Sequence, residues 1–309
     1  MQIAILGATS QIAKDLICSF SQNDEHQLTL FARRPEVVSE WLAAGGLQGK
    51  YQVRSLDQFS TNQSYDALIN FIGTGNPEQA LAMGVSIFDI TLKFDALALD
   101  YLRKYPNCLY IFLSSGAAYG ANFDRPVDNN SHAIIPINHL RSHDWYSIAK
   151  LYAECRHRTL SPFSIIDVRI FNYYSHTQDK NARFLITDIA RSIKYKTILE
   201  TSRENIIRDY LNPSDFFSLI AGILSGDRLN LSIDCYSKEP IDKFTLLSSL
   251  KNKFGLNYNI RDGSGINATG MKSFYYSLNR TAEQFGYSPS LSSLDGIIKE
   301  IQLFIDKDV

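Results

Sequence analysis

The sequence predicts an α/β fold in which helices cover both faces of a doubly wound parallel sheet, with a smaller α/β part at the C-terminal end. Short apolar runs alternate with segments of helical periodicity through the first half of the chain, the pattern of repeated strand–helix–strand units. The inner runs are almost continuously apolar, as expected of strands buried on both faces. Of the 309 residues, 45% are hydrophobic and 20% are charged, which is typical of globular proteins.

The predicted elements follow one another along the chain. Residues 1–6 form a β-rich run, residues 7–10 a turn, and residues 11–20 carry apolar side chains at helical spacing. Further strands are predicted at residues 28–32, 51–56, 67–72, 109–113 and 164–171. Further helices are predicted at residues 37–44, 81–105, 145–160, 246–254 and 294–305. Because crossovers between parallel strands are right-handed, this order leaves few possible topologies.

The regular alternation loosens after residue 171, and this change suggests two parts. Residues 1–171 are predicted to form a dinucleotide-binding domain of the Rossmann type. Residues 172–309 are predicted to be mainly a substrate-binding part, with residues 206–225 returning to the core. We see no internal repeat and no low-complexity linker between the two parts.

Charge and cysteine content argue against several classes of protein. The formal net charge is −1, and no basic stripe marks a nucleic-acid or membrane surface. Cys18, Cys108, Cys155 and Cys235 are widely spaced, so we interpret them as buried or incidental thiols rather than a disulfide framework. The chain shows no secretory signal and no apolar run of membrane-spanning length, so we expect a cytoplasmic protein.

The turn after the first predicted strand is a candidate nucleotide-binding site. Backbone N–H groups and the helix dipole at the start of the following helix favour a pyrophosphate there. Gly7, Ser10 and Ala13 stand where the dinucleotide fingerprint has three glycines, and small residues preserve the close backbone approach. The alternative is a tight turn that merely needs small residues. The candidate cofactor-binding residues are Gly7, Thr9, Ser10, Gln11, Ile12, Arg33, Asp57, Ile72, Gly73 and Lys150.

The end of the second predicted strand distinguishes the two nicotinamide cofactors. An acidic residue there binds the ribose 2′-hydroxyl of NAD, whereas an arginine accommodates the 2′-phosphate of NADP. The sequence has Arg33 and Arg34, with no acidic residue before Glu36. A guanidinium can bind phosphate through two parallel hydrogen bonds, so we predict NADP, with NAD as the alternative. Arg33 and Arg34 could also be solvated surface residues.

Tyr146 and Lys150 form a Y-x-x-x-K motif in the predicted helix 145–160. This spacing places both side chains on one helical face, and we expect the ammonium to lower the pKa of Tyr146. Tyr146 could then exchange a proton with a carbonyl or alcohol oxygen while hydride moves to or from nicotinamide. The motif is common by chance, but it lies downstream of Ser115 at the end of a buried strand, where ligands bind in parallel sheets.

Motifs along nearly the whole chain resemble the extended short-chain dehydrogenases/reductases of the NAD-dependent epimerase/dehydratase group. The similar segments are GATSQIA (7–13), LSSGAAYG (113–120), YSIAK (146–150), VRIFNYYS (168–175), RDYLNPSDF (208–216), EPIDKFTLL (239–247) and FGYSPSLSSLDGI (285–297). The resemblance implies that Ser115 hydrogen-bonds the reacting oxygen, that Tyr146 is the acid/base and that Lys150 is its partner. It also implies that Asn172 and Arg208 contact the diphosphate of a sugar nucleotide.

One residue has an alternative role, and one segment departs from the pattern of the group. Arg208 could instead form a structural ion pair with Asp209 or Asp215. Gly116 and Ala117 stand where the 4,6-dehydratases of the group have an Asp-Glu pair, so elimination of water from the sugar is not expected.

Three functions remain open. Arg33 favours NADPH-dependent reduction of a keto-sugar nucleotide. The alternatives are an NAD-dependent sugar-nucleotide 4-epimerase and a non-catalytic NADP-binding sensor.

By analogy we expect a homodimer formed through helices 81–104 and 145–160. His139 and His143 lack an evident third ligand, so no metal site is predicted, and residues 262–265 are predicted to form a surface turn.

Overall fold

A seven-stranded parallel sheet forms the centre of the protein in a computed structural model that describes residues 1–22, 25–73, 77–120, 123–261 and 272–306. The strands are β1 Gln2–Leu6, β2 Gln27–Ala32, β3 Gln52–Ser55, β4 Ala67–Asn70, β5 Leu109–Ser115, β6 Ile165–Ile170, β7 Asn172–Tyr173, β8 Ile198–Ser202, β9 Ile207–Arg208, β10 Tyr210–Leu211, β11 Asn230–Asp234, β12 Ile241–Asp242, β13 Asn257–Arg261 and β14 Phe274–Tyr275. The helices are α1 Gln11–Ser21, α2 Pro35–Ala44, α3 Pro77–Met83, α4 Ser86–Lys104, α5 Trp145–Arg158, α6 Leu185–Tyr195, α7 Pro213–Ser225, α8 Lys243–Phe254 and α9 Ser293–Asp306.

The strand order in the sheet is β11-β6-β5-β4-β1-β2-β3, and every neighbouring pair is parallel. The order therefore reverses between β1 and β4, which creates the crevice at the carboxyl ends where such sheets bind ligands. This topology confirms the predicted doubly wound parallel sheet.

Alternate side chains of β1 belong to two separate hydrophobic clusters. Ile3 and Ile5 pack with α1, α2 and α7 on one face of the sheet. Ala4 and Leu6 pack with α4 and α5 on the other face. Because all four side chains are fully buried, both faces of the sheet are covered by helices, which explains the continuous apolar runs in the sequence.

Two predicted elements end differently in the structure. The predicted strand 67–72 stops at Asn70, because the Asn70 side-chain oxygen accepts a hydrogen bond from the Ile72 backbone nitrogen at 2.9 Å and turns the chain. The predicted helix 81–105 is two helices, α3 and α4, separated at Gly84, which has φ = +54°. A left-handed residue of this kind interrupts the helix and is tolerated best by glycine.

The chain leaves the sheet after β6 and later returns to it. Helix α7 packs against α1, and β11 pairs with β6 at the edge of the sheet. The division at residue 171 therefore stays a prediction, since residues 230–234 complete the central sheet. The other strands of the C-terminal part form small sheets beside α6, α8 and α9, which share a third hydrophobic cluster.

Residues 262–265, predicted to form a surface turn, lie outside the described residues. Within the ranges that are described, none of the helices is both long and apolar enough to cross a membrane.

Candidate active site

Ser115, Tyr146 and Lys150 come together where β5 ends beside α5. Ser115 is the last residue of β5, and its hydroxyl accepts a hydrogen bond from the Ala117 nitrogen at 3.1 Å. Tyr146, in the first turn of α5, hydrogen-bonds Ser115 through its side chain. The Lys150 Nζ lies 6.0 Å from the centroid of the Tyr146 ring. The three residues therefore have the arrangement that proton exchange with one substrate oxygen requires, and their roles stay predictions.

Lys150 is a buried cation that binds the end of the neighbouring strand. Its Nζ donates a hydrogen bond of 2.7 Å to the carbonyl oxygen of Leu113 and lies 4.5 Å from the centroid of the Phe112 ring. Burial lowers the pKa of Lys150 to about 8, although the carboxylate of Glu154 opposes this change. A pKa this close to neutrality is typical of ionisable groups at functional sites.

The expected lowering of the Tyr146 pKa is wrong. Burial raises the pKa of Tyr146, and the hydrogen bond with Ser115 is what opposes the rise. The physical reason is that the phenol is buried, while the Lys150 nitrogen donates its hydrogen bond to the Leu113 carbonyl. The sequence spacing placed the two side chains on one helical face, but it did not specify where the ammonium is directed.

The turn between β1 and α1 has the close approach that a dinucleotide fingerprint requires. Gly7 has φ = +82°, and a Cβ built there would lie 3.0 Å from the Ile72 nitrogen and 3.0 Å from the Phe71 carbonyl carbon. The Ser10 nitrogen donates to the Gly7 oxygen at 2.9 Å, and α1 has no acidic residue in its first turn. This helix start therefore fits a pyrophosphate, with its positive dipole end uncompensated by a carboxylate.

The loop after β4 connects the nucleotide turn to the catalytic helix. Ile72 contacts the Gly7 position, as described above, and Gly73 has φ = +143°. A Cβ at Gly73 would lie 3.7 Å from the Lys150 Nζ. Thus predicted cofactor residues from three distant sequence segments, around Gly7, Gly73 and Lys150, lie in one continuous surface.

The remaining cofactor candidates lie at two ends of this surface. Arg33 follows β2 and is exposed, and Asp57 follows β3, which pairs with β2. A hydrogen bond from Ser55 lowers the pKa of Asp57. Thr9 and Ile12 are half-buried along the first turn.

Gln11 has a different orientation from the one expected of a cofactor contact. Its side-chain amide donates to Asp15 at 3.2 Å and to Thr177. The side chain is therefore directed to the loop 172–178 instead of the turn 7–10. Its role as a cofactor-binding residue stays a prediction.

The two predicted substrate residues lie on neighbouring short strands. The Asn172 side chain donates to the Asp209 carbonyl at 3.0 Å. Arg208 is 9% exposed and donates to the Ile207 carbonyl at 2.9 Å. The alternative ion pairs are not formed, because Asp209 accepts hydrogen bonds from Ser237, and Asp215 accepts them from residues 290–291.

Lys272 lies beside Arg208 and was not singled out in the sequence. Its Nζ lies 4.4 Å from the centroid of the Tyr275 ring, and the Arg208 guanidinium carbon lies 5.8 Å from that same centroid. Burial and the charge of Arg208 lower the pKa of Lys272 to about 8. Among the residues that the structure describes, neither cation has a carboxylate partner, so their field favours an anion.

Tyr275 connects this pair of cations to the catalytic residues. Its hydroxyl lies 3.4 Å from the Ser115 Oγ, and β14 pairs with β9 so that Tyr275 stands opposite Arg208. No sequence pattern relates Lys272 or Tyr275 to Arg208, because pairing of short strands far apart in the chain creates the contact.

Comparisons with known proteins agree with the motifs. A model of the NAD dependent epimerase/dehydratase family matches residues 3–229. No curated protein sequence has a significant match to this chain.

Three solved structures share the fold along the whole chain. A UDP-glucose 4-epimerase from Stenotrophomonas maltophila with bound NAD and formylated UDP-arabinopyranose has a TM-score of 0.81 at 15% identity, covering 100% of this chain and 98% of that one. A UDP-glucuronic acid 4-epimerase from Bacillus cereus with UDP-glucuronic acid and NAD has a TM-score of 0.79 at 15% identity, covering 100% of both chains. A dTDP-glucose 4,6-dehydratase from Bacillus anthracis with NAD has a TM-score of 0.77 at 15% identity, covering 100% and 97%. At these identities, the likeness establishes a common fold.

Proposed function

This chain belongs to the NAD-dependent epimerase/dehydratase family, and on that premise we propose that it is an NAD-dependent 4-epimerase of a nucleotide-linked sugar. As a member of the family it is an enzyme of the extended short-chain dehydrogenase/reductase type. The observation that carries the proposal is the convergence of Ser115, Tyr146 and Lys150 beside the loop 71–73, which also contacts the nucleotide turn. Two of the three structures described above are 4-epimerases with bound NAD, which favours epimerisation over the NADPH-dependent reduction predicted from Arg33.

The residues fit a nicotinamide dinucleotide. A side chain at Gly7 would fill the space between the turn and Ile72, and the start of α1 offers free N–H groups to a diphosphate. When bound, NAD would supply the hydride acceptor and donor for the sugar carbon. Gly116 and Ala117 supply no acid or base next to Ser115, which is consistent with hydride return without loss of water.

In the proposed reaction, Tyr146 moves one proton in each direction. It accepts the proton of the sugar hydroxyl as the hydride leaves, so that the alcohol becomes a ketone. Once the keto sugar presents its other face, Tyr146 would return the proton to the same oxygen as the carbon is reduced again. Ser115 hydrogen-bonds that oxygen, and the Lys150 ammonium keeps a positive charge 6.0 Å from the centroid of the Tyr146 ring.

We assign Arg208 and Lys272 to the diphosphate of the substrate, with Asn172 beside them. Arg208 is buried and Lys272 is half-buried beside it, and the Tyr275 ring connects them to Ser115. Replacing Lys272 by Gln is expected to raise KM for the nucleotide sugar about tenfold or more, because a charge-assisted hydrogen bond to an anion contributes roughly 1.5–3 kcal/mol. Lys93→Gln, at an exposed position on α4, is the control and is expected to leave KM unchanged.

The test combines a binding measurement with an assay of the product. Purified protein is titrated with NADH and with NADPH by fluorescence, and it is incubated with NAD and either UDP-glucose or UDP-glucuronic acid while the sugar configuration is followed by NMR. Preference for NADH and appearance of the C4 epimer would support the proposal. If the protein prefers NADPH, loses that preference in Arg33→Ala and reduces a keto sugar, the 4-epimerase proposal would be replaced by the NADPH-dependent reductase. Binding without turnover of any sugar would favour the sensor.

We also propose a homodimer in which α4 and α5 of the two copies pack together. These helices contact each other within the chain, and they expose Leu92 and Tyr152, whose side chains are 41% and 50% accessible. Light scattering on a size-exclusion column measures the mass. A mass of one chain at micromolar concentration would contradict the dimer.

A further inference from the structure

Two side chains one turn apart on α5 hold two consecutive residues of β5. The Lys150 Nζ donates to the Leu113 carbonyl at 2.7 Å, and the Ser114 hydroxyl donates to the Glu154 carboxylate at 2.5 Å. Ser114, Lys150 and Glu154 are all buried, with exposures of 4%, 6% and 3%. These bonds fix the end of the strand against the face of the helix.

Glu154 is itself held rigidly from the opposite side. Arg169 on β6 binds both carboxylate oxygens, with Nε···O distances of 3.0 Å and an Nη2···O distance of 2.5 Å. The Ser232 hydroxyl on β11 adds a hydrogen bond of 3.1 Å. The Arg169 Nη1 also donates a hydrogen bond of 2.8 Å to the Tyr119 hydroxyl. A carboxylate with this many donors has a single orientation, which it imposes on Ser114.

We propose that Glu154 is a positioning residue that sets, through Ser114, the distance between the reacting-oxygen partner Ser115 and the proton donor Tyr146. Ser115 directly follows Ser114 in the strand, whereas Tyr146 belongs to the helix that carries Glu154. Any slip of the strand end along the helix would separate the two groups that must reach one substrate oxygen. The proposal rests on the function proposed above, in which Ser115 and Tyr146 act on that oxygen.

The size of the effect follows from how sharply catalysis depends on geometry. A displacement of about 1 Å in a catalytic group can reduce the rate about 100-fold. Losing the hydroxyl of Ser114 removes the direct link between strand and helix at this point, although Lys150 still binds Leu113. A reduction of kcat between about tenfold and 100-fold is therefore expected for Ser114→Ala.

Glu154 also acts on Lys150 through its charge. Its carboxylate, followed by Asp167 on β6 and Asp95 on α4, opposes the effect of burial on the pKa of Lys150. Glu154→Gln keeps an acceptor for Ser114 but removes the charge that opposes burial most strongly. The pKa of Lys150 then falls further below its usual value, so the loss of activity at alkaline pH should begin at lower pH.

The chain offers a matched control in Ser232. Ser114 and Ser232 both place a hydroxyl within hydrogen-bond distance of Glu154, Ser232 sharing its hydroxyl with Asp167 at 3.3 Å, but only Ser114 adjoins the catalytic serine. We expect Ser114→Ala to reduce kcat by about tenfold to 100-fold with little change in the Kd for NADH, and Ser232→Ala to change kcat by less than about twofold. Thermal melting checks that both variants are folded.

Hydrogen exchange supplies a readout that does not need a substrate. Backbone amides of residues 113–117 should exchange faster in Ser114→Ala than in Ser232→Ala. If the wild-type protein turns over no nucleotide sugar, the proposed function fails while this arm still tests the positioning role. Equal kcat and equal exchange in the two serine variants would overturn the inference, and an unchanged alkaline limb in Glu154→Gln would contradict the effect of its charge on Lys150.

Discussion

At the scale of single residues, the site depends on which direction each side chain takes. Tyr146 is bonded to Ser115 while Lys150 is bonded to the Leu113 carbonyl, so the phenol is a weaker acid here than the motif alone suggests. Lys150 nevertheless has a pKa of about 8, so it is positively charged in neutral solution. We therefore expect Tyr146 to transfer the proton and Lys150 to supply the positive charge near the Tyr146 ring.

Replacing Tyr146 by Phe should remove the proton-transfer group while leaving the fold and the cofactor site intact. We expect kcat to fall by about 10²–10⁴, the usual contribution of general acid–base catalysis, while the Kd for NADH stays within about a factor of two. Steady-state kinetics and fluorescence titration measure the two quantities. Tyr195→Phe, at an exposed position at the end of α6, is the control. Substantial turnover by Tyr146→Phe would show that another group transfers the proton.

Gly7→Ala should weaken cofactor binding because the new methyl group meets backbone. Its Cβ would lie 3.0 Å from the Ile72 nitrogen, and φ = +82° strains any other residue by roughly 1–3 kcal/mol. We expect the Kd for NADH to rise at least about tenfold as the loop 71–73 is displaced. Gly46→Ala is the matched control, since Gly46 has φ = +71° with nothing within 4 Å. It should lose similar stability yet bind NADH normally.

At the scale of elements, one buried histidine joins two helices and a strand. His157 on α5 lies 2.6 Å from Asp167 on β6 and 2.7 Å from Asp95 on α4, one carboxylate at each ring nitrogen. Arg158 binds the second oxygen of Asp167, and Arg156 binds that of Asp95, each at 2.7 Å. Both ring nitrogens must donate, so the ring is an imidazolium whose charge is balanced across three elements.

The stability of the protein should therefore decline between neutral and alkaline pH. Burial alone would lower the pKa of His157, but the hydrogen bonds and charges of Asp167 and Asp95 raise it from 6.5 to about 9. Protonated His157 adds on the order of 3 kcal/mol to the free energy of unfolding, and this contribution is fully present below about pH 6.5. The contribution is lost as the pH rises through about 9, where the folded-state imidazolium gives up its proton. Urea unfolding between pH 6 and pH 10 measures it.

The same experiment on two variants assigns the effect. His157→Gln should unfold more easily at neutral pH and lose most of the pH dependence in this window. His132→Gln, at an exposed position, should behave like the wild-type protein. A free energy of unfolding that is flat from pH 6 to pH 10 in the wild type would contradict the imidazolium assignment.

At the scale of the whole molecule, the loop 172–178 joins the nucleotide-binding half to the C-terminal part. On one side, the Asp15 carboxylate of α1 accepts hydrogen bonds from Tyr173 at 2.8 Å and from Thr177 at 2.6 Å. On the other side, Glu300 of α9 accepts from the backbone and the ring of His176, at 2.9 Å and 2.7 Å. This loop follows β6 and begins with Asn172, so two buried carboxylates fix a segment next to the proposed substrate site.

Removing Asp15 should loosen this connection. Asp15→Ala leaves the Tyr173 and Thr177 hydroxyls without their acceptor, and an unsatisfied buried polar group costs about 1–3 kcal/mol. Amides of residues 172–178 are expected to exchange faster with solvent, as followed by mass spectrometry. Asp100→Ala removes a carboxylate that pairs with Arg103 on the surface and should have little effect, since exposed ion pairs contribute at most about 1 kcal/mol. Unchanged exchange in Asp15→Ala would show that Glu300 alone suffices.

The sequence by itself determined the features that depend on local pattern. Alternation of apolar strands and amphipathic helices specified the doubly wound sheet, because each period corresponds to one way of burying side chains. Local spacing placed Tyr146 and Lys150 on one face of a helix, and Gly7 at a turn that only a small residue permits.

Only the tertiary structure decided what depends on contacts between distant segments. It made β11 the last strand of the sheet, directed Lys150 to Leu113, and placed Lys272 beside Arg208 and Tyr275. It also linked Glu154 to the catalytic strand through Ser114. The physical reason is that periodicity shows only which side of a helix or strand is buried. The partner of a buried polar group is fixed when the elements pack together, and that partner decides the direction and the charge state of the group.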